Sequence, residues 1–170
     1  MAAPDYFEPI VGWRAWLVVV TKGGLRLASV LYPTVWTPRE EVVATCRPGA
    51  GGAGHAAPDP RCGCGIYASK QPERATDYVH GQGHGGPTGR PLLRVLGTVS
   101  LWGRVIESEH GYRASHAYPE RLYVPLNRIP GALRVPPAKV AYELMSTYRV
   151  EVEAAAIPPE GPIVRPRSAG

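Results

Sequence analysis

Apolar and polar positions alternate along most of this chain with the two-residue period of strands, and few stretches show a helical period. Residues 10–20 (IVGWRAWLVVV) are rich in β-branched and aromatic side chains and predict a strand buried on both faces toward its end. Thr21-Lys22-Gly23-Gly24 is a tight-turn signal, and residues 25–31 alternate again, so the two predict a hairpin. Residues 41–46 (EVVATC) read as a short third strand ending at Cys46. The strongest strand signal is 92–107, where Val95, Gly97, Val99, Leu101, Gly103 and Val105 share one parity. Gly97 and Gly103 mark bulges or bends there, as in a strongly curved sheet. Residues 112–118 and 122–124 return as strands interrupted by Pro119.

Helical signals are fewer. Residues 72–79 predict a short helix with proline in its first turn. Pro136-Pro137 opens a longer one through Tyr148, with Val140, Leu144, Met145 and Tyr148 as its apolar stripe. The expected fold class is α+β, mostly β: a small curved or barrel-like antiparallel sheet with a zinc-binding loop and one C-terminal helix. One β-rich domain over 1–156 and a Pro-rich, disordered tail over 157–170 complete the expectation.

Composition sharpens this reading. The chain has 170 residues, with Gly 20 and Pro 19, which is turn-rich and argues against a helical bundle. The formal net charge is +5, and all basic residues except Lys22, Lys70 and Lys139 are arginines. An arginine excess suits bidentate contacts to phosphate or carboxylate, and it equally follows from a GC-rich coding sequence. The longest apolar stretch, residues 15–20, is strand-sized, so no membrane span and no membrane partner are expected. The acidic N-terminus lacks the basic region of a signal peptide, which points to the cytoplasm and to reduced thiols rather than disulfides.

Two segments hold candidate chemistry. Residues 47–65 are Gly, Pro and Ala with almost no large apolar side chain, so hydrophobic burial cannot order them. All three cysteines border or occupy this segment, as Cys46-x8-His55-x6-Cys62-x-Cys64. Three thiolates and an imidazole are the donor set of a closed, structural Zn2+ site. On extended backbone, Cys62 and Cys64 project to one side, and Gly63 and Gly65 let the chain wrap close to an ion. Cys46, His55, Cys62 and Cys64 are therefore the expected ligands, with His80 and His84 as alternatives for the histidine. Three reduced thiols in a loop, or two buried thiols with His55 solvated, are the competing reading, and His80 and His84 read better as solvated loop histidines.

The second segment, 100–124, is dense in Arg, His, Glu and Tyr. Folded as a hairpin, it would gather Trp102, Arg104, Tyr112, Arg113, His116, Tyr118 and Arg121 into a patch able to hold a phosphate, a nucleotide or a peptide carboxylate, with aromatic stacking. Cross-strand ion pairs and tyrosine hydroxyls serving a sheet edge are the favoured alternative. Glu107 with His110 or His116 could form an acid–base pair, a weaker reading.

Three enzyme templates fail. A zinc nucleobase deaminase needs His-x-Glu and Pro-Cys-x-x-Cys, but Ala57 stands two after His55. Gly65-Ile66-Tyr67 has no Tyr-Ile-Gly partner as a GIY-YIG nuclease would, and the glycines after His80 lack the strand and Lys-Ser/Thr of a phosphate loop.

The pattern Cys46, His55-Ala56-Ala57-Pro58, Cys62-Gly63-Cys64-Gly65-Ile66-Tyr67-Ala68, followed by residues 100–103 (SLWG), 111–114 (GYRA), 117–119 (AYP) and 122–124 (LYV), resembles a group of small uncharacterised proteins from GC-rich bacteria. The resemblance covers most of the chain and implies no activity. The sequence thus points to a non-enzymatic, zinc-stabilised binding module, with nucleic acid as the favoured partner. A protein-interaction or regulatory adaptor is the alternative.

Overall fold

A computed structural model describes residues 5–46, 54–80, 91–126 and 135–156. Three long antiparallel segments form its spine: β1 (Asp5–Thr21), β6 (Pro91–Glu107) and β7 (Gly111–Pro125). Around them lie β2 (Gly24–Ser29), β3 (Val35–Trp36), β4 (Val42–Val43), β5 (Ile66–Ser69) and β8 (Glu151–Ala155). Helix α1 (Pro72–His80) follows β5, and α2 (Pro137–Tyr148) precedes β8. The mostly β, α+β expectation stands. Two parts of it need correction. A helix is not the last element, because α2 is followed by β8. The sheet is also not wholly antiparallel, because β8 pairs parallel with β7 from Arg121↔Glu151 to Pro125↔Ala155.

The sheet curls into a ring without forming a regular barrel. Strand β1 pairs with β6, β6 with β7, β7 with β5, and β5 returns to β1 through Trp13↔Ser69. Closure requires β5 to lie tight between its neighbours. A Cβ on Gly12 would stand 2.7 Å from Ala68 Cβ, and one on Gly111 would stand 2.3 Å from the Ala68 carbonyl oxygen. The outer edge of β7 is shared in succession by β5, β4 and β8.

Both faces of β1 are covered, which accounts for the unbroken buried run Ala15–Val19. Trp16 and Val18 join the main core with Leu27, Trp36, Leu122, Val140, Leu144 and Tyr148. Ala15, Leu17 and Val19 join a second core with Leu96, Tyr123 and the α1 residues Ala75 and Val79. Trp16 and Trp36 meet edge to face, with ring centroids 5.4 Å apart. Tyr148 crosses from α2 into this core; its hydroxyl donates to the Trp36 carbonyl at 2.6 Å and accepts from the Leu27 N–H at 2.8 Å. Met145, expected on the buried stripe of α2, is 41% exposed.

Irregularities in the β6–β7 pairing fall beside the two predicted glycines, between Thr98 and Val99 and between Trp102 and Val105. Pro119 does not interrupt β7. It pairs with Val99 at the first of these shifts, where a ladder tolerates a missing N–H. Strand β1 begins at Asp5, five residues before the expected start. No helix among the described residues is long and apolar enough to cross a membrane. The expected tail 157–170, His84 and the side chain of His80 lie outside the described residues.

Candidate metal centre

Strand β7 brings the two arms of the cysteine segment together. On one arm, β4 pairs with β7 at Val42↔Ala117 and Val43↔His116, and the Ala44 N–H continues the contact to the Ser115 carbonyl at 2.7 Å. Cys46 therefore follows a strand by three residues instead of ending one, as the sequence suggested. On the other arm, β5 pairs with β7 from Ile66↔Ala114 onward, which places Cys64 just ahead of that junction. Cys62 and Cys64 are buried while Gly63 between them is exposed, the alternation expected of an extended segment.

The four predicted ligands meet. One donor atom from each of Cys46, His55, Cys62 and Cys64 lies within 4.8 Å of all the others, close enough to hold a metal ion. The Cys46 and Cys62 sulfurs are 3.8 Å apart, and His55 Nε2 is 3.3 Å from Cys64 Sγ. Ala57, Cys62 and Cys64 form a small buried cluster with Ala44 and Cys46 at its margin. The peptide between Ala57 and Pro58 is cis.

Polar contacts tie this loop to the sheet where apolar ones are missing. Arg113 Nη1, from β7, donates to the carbonyl oxygens of Cys62 and of Cys64, the latter at 2.9 Å, and reaches that of Asp59 at 3.4 Å. The Tyr67 hydroxyl donates to the Gly63 carbonyl, between the paired cysteines, at 2.6 Å. Within the loop the Cys62 N–H donates to the Asp59 carbonyl at 3.1 Å, and the Arg61 N–H to Asp59 Oδ1 at 2.8 Å. That backbone donation holds the Asp59 carboxyl below its usual range.

Thiols this close cannot all ionise unaided. Burial, followed by the hydrogen bond and charge of neighbouring Cys62, pushes Cys46 up to about 11. At Cys62 burial also opposes ionisation, but hydrogen bonds from the Cys64 backbone and from the Cys64 and Cys46 side chains outweigh it and lower that thiol. A divalent cation would offset the burial and neighbouring charge that hold the Cys46 thiol up.

The second predicted patch separates into unrelated roles. Trp102 and His116 stack on each other at 6.1 Å, and His116 Nδ1 is 2.7 Å from Ser115 Oγ. The Tyr118 hydroxyl donates to the Tyr148 carbonyl and accepts from the Arg39 N–H, both at 2.8 Å. Arg121 is ion-paired with Glu151 on β8, and Arg104 is half-buried on β6 opposite Asp5 of β1. Glu107 is ion-paired with Lys70 at 2.6 Å, so among the described residues it meets neither His110 nor His116. Arg113 serves the carbonyls of the Cys62–Cys64 loop, and Tyr112 lies under the Lys70 ammonium at 5.4 Å.

Tyr112 and Arg113 do share a concave surface, one that the sequence did not reveal. A cleft of about 620 Å³ lies between β1, β5, α1 and the β6–β7 turn, with Trp13, Arg14, Tyr32, Tyr67, Arg74 and His110 among its walls. A smaller depression of about 130 Å³ adjoins it toward Cys64; Arg14, Tyr32 and Gly65 line both. The usable signal was Arg14, a cation set inside an otherwise apolar strand. No protein-family model matches the chain, and no curated protein or solved structure shows significant similarity to it.

Proposed function

We propose that the chain is a zinc-stabilised, non-enzymatic binding module whose partner is nucleic acid. The single observation behind the metal is the spacing of the donors. A tetrahedral ion with Zn–S near 2.3 Å and Zn–N near 2.0–2.1 Å separates its ligands by about 3.8 Å for two sulfurs and about 3.5 Å for sulfur and nitrogen. Two of the six donor pairs stand at 3.8 Å (Cys46 and Cys62 sulfurs) and 3.3 Å (His55 Nε2 and Cys64 Sγ), and all four donors lie within 4.8 Å of one another. Four protein donors leave no open position for substrate, so the ion's role is structural. Free thiols at all three cysteines fit a reducing compartment, and we place the protein in the cytoplasm.

The partner reading draws on the net charge of +5, the arginine excess and the aromatic-walled cleft. Trp16 and Trp36 are buried and contribute nothing to it. An adaptor role has one observation in its favour: Leu31, Tyr32, Val43 and Tyr67 are exposed around the two depressions.

The test has two parts. Protein purified without chelators is expected to hold about one zinc per chain by elemental analysis, and a metal-free preparation that takes up no zinc would refute the metal. Salt-sensitive retention of single-stranded DNA or RNA is expected for the partner. Retention of a specific protein, with no nucleic-acid binding at low salt, would select the adaptor.

A further inference from the structure

We propose that the 620 Å³ cleft is the seat of a single-stranded nucleic-acid segment, its bases stacking on Tyr32 and Tyr67 and its phosphates meeting Arg14 and Arg74. This rests on the nucleic-acid reading above and assigns that reading a place.

The aromatic walls differ in what they can offer. Trp13 stacks on Tyr123 at 6.1 Å, and Tyr112 and Tyr67 each carry a cation over the ring, Lys70 at 5.4 Å and Arg113 at 5.9 Å. Tyr32 and Tyr67 line the cleft and are the more exposed of its aromatic walls, at 50% and 46%. Tyr67 is also held in place: its hydroxyl is fixed on the Gly63 carbonyl, and Arg113 lies 5.9 Å from its ring centroid. A ring already immobilised loses little rotamer freedom on stacking, which favours binding.

Arg14 supplies a positioned charge where the two depressions meet. Its guanidinium donates to the Tyr67 carbonyl and to Ser29 Oγ and lies 5.2 Å from the Trp36 ring centroid. Arg74 is exposed on α1, and Asp77 is the one carboxylate among the lining residues, so the cleft is net positive. Flat aromatic faces beside arginines are what a base-and-phosphate polymer recognises; an acidic peptide would use the charge and leave the tyrosine faces idle. The volume also suits a nucleotide-sized ligand.

The experiment is fluorescence anisotropy of a labelled oligothymidylate with the zinc-loaded chain, over a range of salt. Arg74→Glu and Tyr32→Ala, both at exposed positions, are each expected to weaken binding about tenfold or more, and Arg74→Glu to lower the salt slope. Lys139→Glu makes the same charge change on α2, across the sheet, and is expected to leave affinity within about twofold. Binding by the wild type with Arg74→Glu and Tyr32→Ala unchanged would overturn the cleft and leave the nucleic-acid reading standing. An equal loss in Lys139→Glu, or equal affinity for polyglutamate, would reduce the effect to unspecific charge and also overturn the cleft. No binding by the wild type at low salt would overturn the function itself, and the cleft with it.

Discussion

Arg113 donates to the carbonyl oxygen of Cys64 at 2.9 Å, fastening the loop that carries Cys62 and Cys64 to a strand far along the chain. The same Nη1 serves the Cys62 carbonyl, so both members of the Cys-x-Cys pair are held from outside the cluster. Contacts of this kind orient metal ligands, and losing them typically costs 10–100-fold in metal affinity. Arg113→Ala is expected to show a loss in that range in competition with a chromophoric chelator, while far-UV circular dichroism stays that of a folded sheet. An unchanged affinity would show that the loop needs no such anchor.

Cys62→Ser removes a donor from the middle of the cluster. Zinc stoichiometry is expected to fall well below one per chain. Chelation should lower the melting temperature of the wild type, because an ion that binds only the folded chain stabilises it by mass action. The same chelator should leave Cys62→Ser unmoved. Equal shifts in both proteins would place the stabilising ion elsewhere.

The side chain of Arg61 is 93% exposed, on the loop between His55 and Cys62. Trypsin is expected to cut after Arg61 faster once the ion is removed, since local opening governs cleavage of a folded chain. Mass spectrometry of the first fragments checks this, and a cleavage rate indifferent to zinc would count against ion-dependent ordering of the loop.

Burial raises the Tyr148 phenol from 10.0 to about 12. Its folded value lies above its unfolded one, so the stabilisation is fully present below about pH 10 and is lost as pH rises toward 12. Tyr148→Phe leaves the buried Leu27 N–H and Trp36 carbonyl without this partner, at about 1–3 kcal/mol. Denaturant unfolding against pH should show a steep alkaline loss in the wild type and a shallower one in the variant.

A Cβ at position 97 would stand 2.1 Å from the Arg121 carbonyl oxygen, which is backbone and cannot swing aside. Gly97→Ala is expected to cost about 1–3 kcal/mol in chemical unfolding, as overpacking does. A variant as stable as the wild type would mean that β6 and β7 can part there without penalty.

What the sequence disclosed depended on whether one local signal fixed each feature. Residues 15–19 were legible as a doubly buried strand because their apolar run is unbroken and helices cover both sides. That Cys46, His55, Cys62 and Cys64 come together was legible because cysteines are scarce and the intervening segment offers few apolar means of ordering. Strand β8 was missed although Glu151-Val152-Glu153-Ala154 alternates polar and apolar: the run is short, ends in alanines and holds one β-branched residue, and its conformation comes from pairing with β7 after Arg149 turns the chain out of α2 with φ 58°. The members of the 100–124 patch have separate cross-strand neighbours in the structure. Tyr118 and Arg121 bind other parts of the chain, while Tyr112 and Arg113 line a cleft most of whose other walls come from β1, residues 30–32, β5 and α1.

Both halves of the donor set hang from adjacent positions of one strand, the Cys64 arm at Ala114 and the Cys46 arm at Ser115 and His116. Slipping either arm by a single residue along β7 would turn its side chains to the opposite face and carry a sulfur out of reach. A chain that takes up an ion at these four residues is therefore expected to have β4 and β5 seated correctly, and a misaligned one to stay unloaded.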